Sequence, residues 1–204
     1  MNHLVHLPLT AASNSLLRPS LGLCLVGFLF AGWVYCTSSV ALAQWLFPEQ
    51  ANGSVLKQQG QIVGSRLVGQ PFVSARYFHS RPSASNYNVD AMAGSNLAKA
   101  NPELQQLIQT RAAQFAQQNQ ITKQQVPDDM ITASGSGIDP HISPESALLQ
   151  LKRVAAQRQL PEPQLRQLVQ RHIQPAQFGL YGQARVNVLE LNLALDQFSM
   201  SSGK

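Results

Sequence analysis

The chain has 204 residues, room for one bilayer-spanning helix and one soluble domain of about 150 residues able to bury a real core. Only 12% of its residues are charged and 7% aromatic, which excludes a nucleic-acid binder with a dense basic stripe and stacking rings. Its net charge of +5 comes from Lys and Arg scattered one at a time and reads as a solvated surface.

Between Arg18 and Glu49 the chain carries no charge. That stretch is roughly 30 residues long, where a spanning helix needs about 20. Its centre, Leu21 to Ala43, has no polar face, unlike a buried helix of a soluble protein. Trp33 and Tyr35 lie inside the stretch, and Trp45 and Phe47 stand at its downstream end, where amphipathic rings favour an interface. A cleaved signal peptide is the alternative, because Ala41-Leu42-Ala43 has the small-x-small spacing of a cleavage site. The apolar run exceeds the usual 7–15-residue signal core, which favours a retained span. Arg18 before the span and Glu49 after it place the N-terminus in the cytoplasm and the domain outside. Cys24 and Cys36 both fall in the span, about 18 Å apart along a helix axis, too far to pair within one chain.

After Pro48 the composition shifts to Gln, Asn, Ser and Gly. Gln61-Ile-Val and Met130-Ile-Thr are short strand candidates bounded by Gly, Pro and Asp. Asn101-Pro102-Glu103 is a helix start, with Leu104, Leu107, Ile108 and Phe115 on one face behind it. Ser143-Pro144-Glu145 starts a second helix, with Ala147, Leu148, Leu151, Val154 and Ala155 on its apolar face. Lys152, Arg153 and Arg158 lie toward its end, where cations suit the helix dipole. A third, shorter helix runs from Glu162 or Pro163 to His172, and the first half of Ala184–Leu195 reads as a strand. The expected layout is a cytoplasmic tail over 1–20, a transmembrane helix over 21–43 and a soluble α+β or α/β domain over 49–204.

Gly64 to Gln70 has the outer spacing of a phosphate-binding loop, but Gln70 stands where the lysine belongs and Pro71 follows. It is rejected on those grounds. The loop Ser134-Gly135-Ser136-Gly137-Ile138-Asp139 is open to two readings. Its amides suit an anion, with Asp139 and His141 adding polar contacts. Alternatively its glycines serve only the dihedral angles of a turn. His79 and Arg81 also suit an anion, or simply a surface loop. No His/Cys/Glu cluster has metal-ligand spacing, and no nucleophile pattern is present, so the chain offers no catalytic set.

Several segments in order resemble one family. They are Gly64–Phe72, Tyr77–Pro82, Gly94–Leu97 with Asn101-Pro102, Val126–Pro144, Arg153–Ala155 and Arg185–Asp196. Together, behind one N-terminal span, they resemble the C subunit of the Kdp-type potassium-transporting P-type ATPase over nearly the whole chain. The resemblance implies an accessory, non-catalytic subunit of a high-affinity potassium uptake complex in the bacterial inner membrane. Its implied partners are a P-type ATP-hydrolysing subunit, a potassium-selecting channel-like subunit and a very small membrane subunit. The implied role is a catalytic chaperone that raises the ATP affinity of the hydrolysing subunit. This chain lacks the Asp-Lys-Thr-Gly phosphorylation motif, so ATP and Mg2+ are expected to be used by the partner and no cofactor by this chain. Were the domain cytoplasmic, Ser134, Gly135, Ser136, Gly137 and Asp139 with Gln150 would be the candidate nucleotide contacts, Gln150 otherwise being a solvated helix residue. The competing reading is a secreted or periplasmic binding protein released by cleavage after Ala43.

Overall fold

A computed structural model describes residues 16–202; the expected N-terminal tail, as far as residue 15, lies outside the described residues. The chain divides into two units between Asn52 and Gly53.

The first unit is one apolar helix, Leu17–Leu46, 30 residues long with a mean hydropathy of 1.7. At 1.5 Å per residue it is about 45 Å long, more than the ~30 Å of a bilayer's hydrocarbon core. None of its most apolar window is buried within the chain, so its Leu, Val and Phe side chains face outward on all sides. It comprises α1 (Leu17–Phe28), a π-helical segment (Leu29–Val34) and α2 (Tyr35–Leu46). Just past the π segment the Thr37 hydroxyl donates to the Trp33 carbonyl at 2.6 Å, satisfying its polar group inside the helix. A one-turn helix, α3 (Pro48–Ala51), follows.

The second unit is the mixed α and β domain that the residue patterns suggest. It begins with a hairpin of β1 (Val55–Gln58) and β2 (Gln61–Ser65). Gln59 and Gly60 form its two-residue turn, both with positive φ (51° and 81°), the geometry that matches strand twist. A long irregular segment follows, broken only by a 3-10 turn at Val89–Ala91. Then comes α4 (Pro102–Asn119), capped as expected by Asn101, whose side chain accepts from the Glu103 amide. Leu104, Leu107 and Ile108 are half-buried on its inner face and Phe115 is buried.

The strand expected at Met130-Ile-Thr is instead a turn of helix, α5 (Asp128–Ile131). Pro127 pre-sets the chain entering it, Asp128 and Asp129 occupy its positive first turn, and the Thr132 hydroxyl donates back to the Asp128 carbonyl at 2.6 Å. These end effects outweigh the β preference of two residues.

The second expected helix is divided into α6 (Pro144–Leu149) and α7 (Leu151–Arg158), which meet at Gln150. Ser143 caps α6 by accepting from the Ser146 amide at 3.0 Å. α8 (Glu162–Arg171) is the short third helix. β3 (His141–Ile142), β4 (Ile173–Gln174) and β5 (Arg185–Asn187) form an antiparallel sheet in the order β3-β5-β4. The strand in Ala184–Leu195 is thus three residues long, and α9 (Val188–Ser202) takes the rest. The core lies where α4, α6, α7, α8 and α9 close on this small sheet, centred on Leu151, Val154, Leu165, Val169, Leu191 and Leu195.

Candidate functional site

The irregular segment 66–97 has few backbone partners of its own, and an extended chain against an apolar core must satisfy its N–H and C=O groups somehow. Buried amide side chains do this. Asn192 on α9 accepts from the Phe78 amide and donates to the Phe78 carbonyl, both at 2.9 Å. Gln150 treats the next residue the same way, accepting from the His79 amide at 2.7 Å and donating to its carbonyl at 3.2 Å. Asn187, the last residue of β5, donates to the Arg66 carbonyl at 2.7 Å and accepts from the Glu190 amide at 3.1 Å. Between these clamps the Phe78 ring is fully enclosed.

Arg153 locks the arrangement. Its guanidinium donates to Asn119 Oδ1 (3.0 Å), the Ala75 carbonyl (2.6 Å), the Tyr77 carbonyl (2.9 Å) and Gln150 Oε1 (2.7 Å). Burial without an acidic partner lowers its pKa to about 10, so it keeps its charge at neutral pH. Nearby, Arg158 pairs with Asp196 at 2.7 Å and stacks over the Tyr77 ring, whose hydroxyl donates to the same carboxylate at 3.0 Å. The arginines expected at a helix end for its dipole, and read as solvated charge, are therefore fasteners between α7 and the irregular segment. Planar five-donor forks suit that task.

The loop 134–139 closes on itself. Ser134 Oγ is buried and accepts from the Gly137 amide at 2.8 Å, and Ser136 Oγ accepts from the Ile138 amide at 3.2 Å. Gly137 has φ of +75°, and a Cβ there would collide with Ser85 Oγ and the Ala93 carbonyl. Gly135 lies against Gly94 but leaves open space beside its own Cα. Asp139 Oδ2 accepts from Arg81 Nη1 at 3.0 Å, while Oδ1 accepts from the His141 amide at 3.0 Å and lies 3.3 Å from His141 Nδ1. Arg81, Asp129, Asp139, His141, Ser143 and Arg185 line an open polar cleft of about 340 Å³. Arg81 Nε is buried there without a hydrogen-bond partner.

Besides Arg153, Asp139 and His79 titrate away from their ordinary values. Burial raises the Asp139 pKa, but the bonds from His141 and the charge and bond of Arg81 outweigh it, leaving it below 3.8. Burial and the neighbouring Arg153 charge depress His79 below 6.5, against the opposing bond to the Ser74 carbonyl. That carbonyl only accepts, so His79 Nε2, 3.0 Å away, carries the hydrogen.

Of the residues singled out from the sequence, Ser134, Gly135, Ser136, Gly137 and Asp139 share one loop. Gln150 is elsewhere, at the α6–α7 junction. It is fully buried rather than solvated, and both its side-chain heteroatoms are engaged within the domain. His79 and Arg81 lie on the segment that connects them: His79 touches Gln150 and Arg81 touches Asp139. The rejected phosphate loop is part of β2 and its exit, where Gln70 Nε2 donates to the Val63 carbonyl at 2.9 Å and no helix follows. Sequence reading missed Asn187 and Asn192. Their signal is two amides at buried positions of a run rich in Val and Leu. Among the described residues no group of three or more His, Cys, Asp or Glu can hold a metal ion.

Comparison with known proteins gives this arrangement its context. A family model described as K+-transporting ATPase, c chain (KdpC) matches residues 17–197. The Potassium-transporting ATPase KdpC subunit of Xanthomonas campestris pv. campestris (strain B100) is 48% identical over 180 residues, 88% of this chain and 86% of that protein. The protein of the same name from Shewanella putrefaciens is 45% identical over 199 residues, 98% of each chain. That from Acidobacterium capsulatum is 46% identical over 183 residues, 89% of this chain and 97% of the relative. With one match running through the apolar helix and nearly all of the folded domain, the chain belongs to the KdpC family, the c chain of potassium-transporting ATPases.

Proposed function

We propose that this chain is the non-catalytic accessory subunit of an ATP-driven, high-affinity potassium uptake complex, where it supports assembly and raises the ATP affinity of the P-type hydrolysing subunit. The observation that carries this reading is the family match over 17–197, which treats span and domain as one unit. A protein released by cleavage after Ala43 would lose the first part of that match. In this reading the span (21–43) is retained in the bacterial inner membrane, and the charge bias of Arg18 before it and Glu49 after it supports a cytoplasmic tail over 1–20 and a periplasmic domain over 49–204. Its partners are the hydrolysing subunit, the potassium-selecting channel-like subunit and the very small membrane subunit. ATP and Mg2+ belong to the hydrolysing subunit.

The internal bonding of the domain supports transmitted rather than direct action on ATP. Gln150 spends its side chain on His79, Ser146 and Arg153, and the amides of Gly137, Ile138 and His141 already have acceptors. An effect sent across the membrane requires a conformational equilibrium that both this domain and ATP bias. Equilibrium binding of a non-hydrolysable ATP analogue to the complex, with and without this chain, tests it. Affinity is expected to fall on removal of the chain by a factor in the usual range for coupled sites, roughly 5–150. Equal affinity in an otherwise intact complex would remove the ATP role.

A further inference from the structure

Between β4 and β5 the chain makes a tight excursion, Pro175–Ala184, exposed along most of its length. At its tip Phe178 is 83% exposed, Leu180 81% and Tyr181 68%, three large apolar side chains within four residues. The tip is held rigid by its own backbone. Gln177 and Tyr181 exchange two hydrogen bonds, at 2.8 and 2.9 Å, and the Gly179 amide donates to the Ala176 carbonyl at 3.0 Å. Phe178 has φ of +55° and Gly179 follows at +72°. A bulky residue in the left-handed region carries backbone strain that glycine avoids. The domain thus holds a large ring in a strained conformation where the ring buries nothing of its own.

We infer that this tip is a docking element for another chain of the same ATPase, seated in an apolar pocket with an acidic rim. The inference rests on membership of the complex. Rigid aromatic anchors at the centre of a patch carry most of the energy of protein interfaces, and a preformed loop avoids the cost of ordering on binding. Charge sets the character of the rim. The stretch 171–185 holds no Asp or Glu but carries Arg171, His172 and Arg185. Arg171 and Arg185, on either side of the excursion, are exposed. A bilayer is the weaker occupant, because membrane-surface affinity scales with buried apolar area and this tip offers three side chains set among Gln174, Gln177 and Gln183.

The test places photoreactive benzoylphenylalanine at position 178 of the full chain, co-expressed with the other chains of its ATPase and irradiated in native membranes. A covalent product with another chain is expected. Adducts to lipid alone, to a second copy alone, or none at all overturn the assignment. The double variant Phe178→Gly, Leu180→Ser removes both anchors and relieves the strain, so its melting temperature is expected to equal or exceed that of the unaltered chain. Its association with the complex is expected to weaken tenfold or more, as hot-spot truncation does. Unchanged association overturns the proposal. Co-purification of the unaltered chain is measured in parallel. Its loss defeats subunit membership, whereas its retention with a failed crosslink defeats only the role of the tip.

Discussion

His79 lies on the irregular segment and Asp139 holds Arg81 of the same segment, and burial acts on the two in opposite directions before their neighbours intervene. The net result is the same for both: each binds its proton less readily folded than unfolded. Each therefore contributes stability that is fully present above its unfolded value, 6.5 for His79 and 3.8 for Asp139, and is lost as pH falls through the lower folded value. The melting temperature of the full chain is expected to drop as pH falls below 6.5, and His79→Gln is expected to flatten that first decline. A melting temperature that rises between about pH 7 and 5 would contradict the assignment of His79 as a half-buried ring held neutral by the fold. None of this was legible beforehand. His79 and Arg81 appear in the sequence as a pair of cations suited to an anion, but the fold gives each a protein partner.

At the scale of elements, the domain is an irregular strap fastened to a helical core by side chains. Asn101 was readable as a helix cap because capping is local, with donor and acceptor two residues apart. The division of the second helix at Gln150 was not, since it serves a bond to His79, 71 residues away. Asn192 is a similar case: its partner Phe78 is 114 residues distant, and no periodicity reports such a pairing. Met130-Ile-Thr misleads for the opposite reason, because its β-prone residues yield to Pro and Asp at the start of one helical turn. Asn192→Leu keeps the branching of the side chain but strands the Phe78 N–H and C=O in a dry interior. It is expected to destabilise the domain by about 2–6 kcal/mol, at 1–3 kcal/mol for each unpaired group. Denaturant unfolding measures this. A loss below about 0.5 kcal/mol, the range of ordinary surface changes, would show that the strap is held by other means.

At the scale of the whole molecule, the two units divide the work expected of an accessory subunit. The Leu17–Leu46 helix exposes apolar surface on all sides and needs lipid or other helices, while the domain encloses its own core. That division was visible from the uncharged stretch after Arg18, because bilayer length is a strict physical requirement. The loop 134–139 was visible only as a glycine-rich run; its hydrogen bonds show it holding Arg81 and the Ser83–Ser85 turn in place. The proposed role is a membrane-retained subunit of a potassium-transporting ATPase. The C-terminally tagged full chain, extracted from native membranes in mild detergent, can be assayed for potassium-stimulated ATP hydrolysis and for its own N-terminus. ATPase activity is expected to co-purify with a chain still carrying its apolar helix. A chain beginning at Gln44, recovered alone and without hydrolysis activity, would contradict it.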